Sequence, residues 1–242
     1  MLPLFSLGSL QISTYPLIFG ILFGLSYIFG KKLNDSRNEN VNNYNFYFLG
    51  CFLSAWAGAK LLFLMTLNEE LLSNAINNKN FRFGGGFVFY GGFIFGLLFT
   101  IAYGSYKKLY LKYFEFTIPV LVLCHAIGRL GCFLAGCCYG THCDLPWAID
   151  LHGGTRHPVQ LYESVALLLL FIFLYRRFLQ GKSVIWEYFF SYAFVRFTLE
   201  FFRGDSIRGV YAMGLSTSQL ISLGLACVAL VFVYRKSLAQ HL

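Results

Sequence analysis

The stretch FTIPVLVLCHAIGRLGCFLAGCCYG, residues 116–140, decides the fold. It opens as an apolar run that reads as a membrane-spanning segment, and it carries Arg129 inside that run. A full positive charge near a bilayer centre costs roughly 2.5–3.5 kcal/mol on insertion scales. Such a residue is kept because it binds something negative or pairs with a carboxylate. Its own helix offers no carboxylate within reach, so an anion-binding role is expected for Arg129. Cys132, Cys137, Cys138 and Cys143 crowd behind it.

The rest of the chain agrees with a membrane setting. Of 242 residues, 57% are hydrophobic and only 12% charged, against about 25% charged in a soluble domain. Phe, Tyr and Trp reach 19%, which suits interfacial aromatic belts. The net charge of +8 does not point to nucleic acid, because the basic residues form short clusters between apolar segments rather than one stripe. No cleavable signal peptide is expected, since no basic region precedes the first apolar run.

Seven apolar segments emerge: 14–30, 44–67, 84–106, 113–135, 159–175, 184–202 and 214–234. Each approaches the about 20 residues that a spanning helix needs. The expectation is an all-α membrane protein of seven transmembrane helices, forming a single domain over residues 1–242. Segment 68–82, rich in Asn and Glu, reads as the least structured connection. Eleven of the nineteen Lys and Arg follow the first, third, fifth and seventh segments, among them Lys31, Lys107, Arg176 and Arg235. The positive-inside rule then puts the N-terminus outside and the C-terminus in the cytoplasm. The connections after the fourth and sixth segments face outward.

Three further groups of polar residues call for a role. Arg196, Glu200 and Arg203 recur at i, i+4 and i+7, so they share one helix face and Arg196 can neutralise Glu200. Arg203 reads either as a functional cation or as a snorkelling interface anchor. His157-Pro158 followed by VQLYE reads as a helix start. It sets Gln160, Tyr162 and Glu163 in the first turn and a half, either as ordinary helix-end residues or as the rim of a cavity where Glu163 pairs with an arginine. In GGGFVFYGGFIFG, glycines 84, 85, 86, 91, 92 and 96 serve close helix packing or let a lipid headgroup approach Gly91 and Gly92, with Tyr90 pointing at it.

Taken in order along almost the whole chain, these motifs resemble the bacterial prolipoprotein diacylglyceryl transferase family. The resemblance rests on ISTYPLIFG, GGFVFYGG, GRLGCFLAGC, HPVQLYE (157–163), EFFRGD and LSTSQLIS. It implies transfer of diacylglyceryl from phosphatidylglycerol to the thiol of the lipobox cysteine in a prolipoprotein signal peptide. It also implies a site at the outer leaflet of the bacterial cytoplasmic membrane. Arg129 then holds the phospholipid headgroup and Arg203 is a second essential arginine. Tyr15 lines the headgroup cavity, and Tyr90 hydrogen-bonds where many members carry a histidine. His157, Gln160, Tyr162, Glu163 and Glu200 complete the substrate site. Arginines suit the chemistry, because a phosphate monoester leaves and negative charge builds on its oxygen. No cofactor and no resident metal are expected.

The chain departs from the family signature Gly-Arg-x-Gly-Asn-Phe-x-Asn-x-Glu at Cys132, Ala135 and Cys137. That opens two alternatives. One is a divergent paralogue with a glycerophospholipid donor and another acceptor. The other is a non-enzymatic redox or metal-binding membrane protein built on Cys137–Cys143. The spacing C-x4-CC-x4-C is not a standard zinc or iron–sulfur pattern. It leaves open a small buried Cys132, a disulfide from Cys143 to Cys137 or Cys138, a metal site with His142, His152 or His157, or a reactive thiol.

Overall fold

The computed structural model describes residues 4–7, 10–36, 43–65, 67, 88–204 and 214–241. Segment 68–82 lies outside them, as do the side chains of Tyr15 and Tyr90. Seven α-helices occur among the described residues: α1 (Thr14–Ser36), α2 (Tyr44–Met65), α3 (Phe89–Tyr106), α4 (Tyr110–Ala135), α5 (Val159–Leu179), α6 (Ile185–Glu200) and α7 (Thr217–His241). Three of them contain spans long and apolar enough to cross a membrane, namely Tyr44–Met65, Leu111–Ala135 and Val159–Leu179. Gly91–Tyr106 and Thr217–Phe232 are shorter apolar stretches.

The fold is mostly helical, as expected, and two features add to that expectation. Strands β1 (Leu4–Leu7) and β2 (Leu10–Ser13) pair antiparallel, and so do β3 (Ile149–Asp150) and β4 (Thr155–Arg156). Helix ends also differ from the apolar segments. α1 runs on through Lys31 and Lys32 to Ser36, and α7 continues to His241. Hydropathy marks where lipid ends, whereas backbone hydrogen bonding continues into the polar flank.

The chain forms two compact units, residues 31–114 and residues 1–30 with 115–242. In the first, α2 and α3 pack backbone to backbone. A Cβ on Gly91 would stand 2.2 Å from the Gly58 carbonyl oxygen, and one on Gly92 would stand 3.2 Å from that of Ala55. Small residues are what permit such approach between helices. Tyr47 and Thr100 share a hydroxyl hydrogen bond of 3.2 Å, and the Tyr47 and Tyr113 rings lie 4.5 Å apart.

In the second unit, α5 buries Leu167, Leu170, Leu174 and Phe178 along one stripe. Its opposite face exposes Val165, Leu169, Ile172 and Phe173. An apolar exterior of this kind suits lipid rather than water. α5 ends on Gly181 at φ +75°, where the Gly181 N–H reaches the Phe178 carbonyl at 3.0 Å, a left-handed stop that glycine adopts freely. α7 begins with a capping box. The Ser216 N–H donates to Gln219 Oε1 at 2.9 Å, and the Gln219 N–H donates to Ser216 Oγ at 3.2 Å. Glu115 on α4 accepts from the Val184 N–H at 2.9 Å and the Ser183 hydroxyl at 2.5 Å. This ties the start of α6 to α4.

Candidate active site

The connection from α4 to α5 forms a clamp over the ends of α5 and α6. Gly140 N–H donates to the His157 carbonyl at 3.1 Å, and His157 N–H returns to Thr141 at 3.0 Å. On the other side, Thr141 N–H donates to Phe202 at 2.8 Å and Gly204 N–H to Tyr139 at 3.0 Å. The sequence permits this only through glycine. A Cβ on Gly140 would meet the His157 carbonyl oxygen at 2.4 Å, and one on Gly204 would meet that of Gly140 at 2.4 Å. The clamp fixes the HPVQLYE helix start beside Arg203. Helix α5 starts at Val159 after Pro158, and no side chain caps it, so capping does not account for that motif.

Beneath the clamp, charges from α4, α5 and α6 meet. Glu163 Oε1 lies 2.9 Å from Arg129 Nη2 and 3.6 Å from His125 Nε2. Its Oε2 lies 3.9 Å from Arg196 Nη1. Arg196 Nη2 pairs with Glu200 Oε2 at 2.8 Å and donates to the Ser218 hydroxyl of α7 at 3.2 Å. Arg203 Nε lies 3.9 Å from the same Glu200 oxygen. The side chains of Glu163 and Glu200 are 2% exposed, and those of Arg129, Arg196 and Arg203 are 15%, 13% and 12%. Arg203 is therefore held inside the protein rather than snorkelling. The pairing of Glu163 with an arginine, expected from its place on α5, is present.

Arg129, Arg196 and Arg203 thus gather on Glu163 and Glu200. Close approach also does not mean full satisfaction. Glu163 Oε1 and Arg129 Nη2 lack hydrogen-bond alignment despite their separation, and Arg129 Nε, Arg196 Nη1 and Gln160 Oε1 have no hydrogen-bond partner among the described residues. Buried donors and acceptors left this way cost about 1–3 kcal/mol each, and more when charged. Arg129 Nε and Arg196 Nη1 are the donors in this group.

The remaining predicted residues divide. Gln160 donates its amide to the Cys137 carbonyl at 2.6 Å. The Tyr162 hydroxyl oxygen accepts from the Trp147 indole at 2.7 Å and stands 3.3 Å from His157 Nδ1. Gly91 and Gly92 serve the α2–α3 packing. Two residues escaped the sequence reading. His125, four residues before Arg129, shares its helix face. Tyr192, four before Arg196, packs its ring 5.4 Å from that of His125. The i, i+4 spacing was available for both, but neither residue type is costly enough in a span to draw notice.

The cysteines are all free thiols, so of the alternatives left open the disulfide from Cys143 is not formed. The sulfurs that gather are those of Cys132, Cys137 and Cys138, all within 4.8 Å of one another, without Cys143 or a histidine. Cys138 stands outside the helix. Hydrogen bonds from the Cys132 and Cys137 thiols, then the Arg129 and Arg203 charges, draw its thiol below the ordinary range against the effect of burial.

Apolar helices long enough to cross a membrane, with a buried arginine–carboxylate cluster between α4, α5 and α6, define a mostly helical membrane protein with a polar site between helices. The chain matches the family model of prolipoprotein diacylglyceryl transferase over residues 3–235, and it belongs to that family. Similar proteins include the phosphatidylglycerol–prolipoprotein diacylglyceryl transferases of Clostridium tetani and Finegoldia magna. The first is 32% identical over 235 residues, covering 91% of each chain. The second is 31% identical over 244 residues, covering 98% of this chain and 96% of the relative.

Proposed function

We propose that this chain moves the diacylglyceryl group of phosphatidylglycerol onto the lipobox cysteine of exported prolipoproteins, the first step of lipoprotein maturation. In this reading the cysteine sulfur attacks the glycerol carbon, forming a C–S bond. The bond from that carbon to the phosphate oxygen breaks, and glycerol phosphate leaves. The thiol proton is lost. Arg129 holds the phosphate and Arg203 stabilises charge on the leaving oxygen, as preorganised donors do in a site that excludes water. Glu163 and Glu200 keep the arginines in place, and Gln160, His157 and Tyr162 line the mouth. Tyr15 and Tyr90 supply hydrogen bonds to the headgroup. The whole chain acts as one domain of seven spans, with the N-terminus outside, the C-terminus cytoplasmic and the site toward the outer leaflet of the cytoplasmic membrane.

The observation that carries this reading is the buried guanidinium of Arg129, whose Nε has no hydrogen-bond partner among the described residues. The relatives' names supply the substrates. The test is direct. Purified protein in micelles containing phosphatidylglycerol is given a lipobox peptide, and mass spectrometry looks for the thioether adduct together with released glycerol phosphate. Absence of both products overturns the reading.

A second reading keeps the phospholipid donor and changes the acceptor. It is favoured by thiols at Cys132 and Cys137 where the family signature has Asn and Glu. It predicts released glycerol phosphate only when an acceptor other than the lipobox peptide is supplied.

A further inference from the structure

The cysteine trio is built by a helix terminus that folds back on itself. α4 ends at Ala135, and Gly136 follows at φ +75°. The Gly136 N–H reaches the Phe133 carbonyl at 3.1 Å, and the Cys137 N–H reaches that of Cys132 at 3.1 Å. This double-bonded stop brings the residue two past the helix against the residue one turn before its end. It therefore sets Cys137 beside Cys132. Cys138 then takes φ +60°, a left-handed conformation that side-chain-bearing residues rarely adopt. The result is three thiols within 4.8 Å of one another.

We infer that Cys132, Cys137 and Cys138 form a binding site for a thiophilic d10 metal ion of the Zn2+ class. Three sulfurs around one tetrahedral zinc at about 2.3 Å each stand about 3.8 Å apart, so the trio needs a contraction of at most about 1 Å. As three S–metal bonds form, the three thiol protons pass to solvent, because bound cysteine is thiolate. The complex with a divalent ion then carries one negative charge. Arg129 acts electrostatically on Cys132 and Cys138, and Arg203 acts on Cys138. Those guanidiniums oppose a bare cation but favour the thiolates and the anionic complex. Cys137 is exposed, which gives an ion its way in, and the fourth coordination position is left to water.

Cadmium is the probe. The full chain, reduced and in detergent micelles, is titrated with Cd2+ while thiolate-to-metal charge-transfer absorption is followed, and Zn2+ is then added in competition. One Cd2+ per chain, displaced by Zn2+, is expected. Cys137→Ser, at an exposed position, is expected to weaken binding more than about 100-fold, beyond what loss of a supporting contact costs. Cys143→Ser is expected to leave the titration unchanged. No band at stoichiometric Cd2+, or an undiminished band in Cys137→Ser, overturns the site. The absorption reads metal alone, so its outcome is independent of whether the transferase reaction is observed.

Discussion

Arg129 on α4 and Glu163 on α5 stand 2.9 Å apart, yet the contact lacks hydrogen-bond alignment and leaves Arg129 Nε without an acceptor among the described residues. The pair is thus a support rather than a closed unit. Removing one member strands a buried charge, which costs about 3–5 kcal/mol, whereas replacing both with apolar residues of similar size is often near neutral. Glu163→Leu and Arg129→Met should each lower the thermal midpoint of the detergent-solubilised protein substantially. The double variant Arg129→Met with Glu163→Leu should recover much of that loss while remaining inactive. Additive losses in the double variant would show that the two charges are not coupled.

Arg129 is also expected to act through its shape. A guanidinium offers a planar fork to a phosphate, and an ammonium offers a point charge. Arg129→Ala should lower the transfer rate by about 10²–10³-fold, the range for losing one preorganised donor. Arg129→Lys should retain more activity than alanine and less than arginine. Rates measured with phosphatidylglycerol and a lipobox peptide decide this, and full activity in Arg129→Ala would remove the residue from the site.

The legible part of this fold is what bilayer chemistry taxes. Apolar length announced the helices, and the cost of charge in a span singled out Arg129, Arg196 and Glu200. Their spacing gave the shared face on α6, and Glu163 followed from its place at a helix mouth. Other features carry no such cost. The β3–β4 hairpin is two residues per strand, too short for a periodic signal. His125 and Tyr192 enter the network through geometry between helices, which no single segment encodes. The meeting of Cys132 with Cys137 depends on a left-handed turn at Gly136, so their spacing matched no familiar metal pattern.

The clamp over the site makes its own prediction. At Gly140 and at Gly204 an added methyl would press on backbone, which cannot rotate away. Gly140→Ala and Gly204→Ala should each cost about 1–3 kcal/mol, the usual penalty for overpacking. They should also lower activity, because the clamp seats both His157 and Arg203. Gly224, on α7, has open space around the same position. Gly224→Ala should be neutral or stabilising by up to about 1 kcal/mol. Thermal unfolding of the three variants side by side checks the contrast, and equal behaviour would refute it.

The proposed orientation has a separate consequence. Cys137 is exposed just past α4, and Lys108 is exposed just past α3. If the basic clusters are cytoplasmic, these positions lie on opposite sides of the membrane. A chain with Cys137 as its only cysteine should react with a membrane-impermeant maleimide on intact cells from which any outer barrier has been removed. A chain with Lys108→Cys as its only cysteine should react after the membrane is opened and not before. Reaction of both in sealed cells would contradict the alternation of seven spans. Reaction of Lys108→Cys alone would invert it and turn the arginine site toward the cytoplasm, where an exported acceptor has already left.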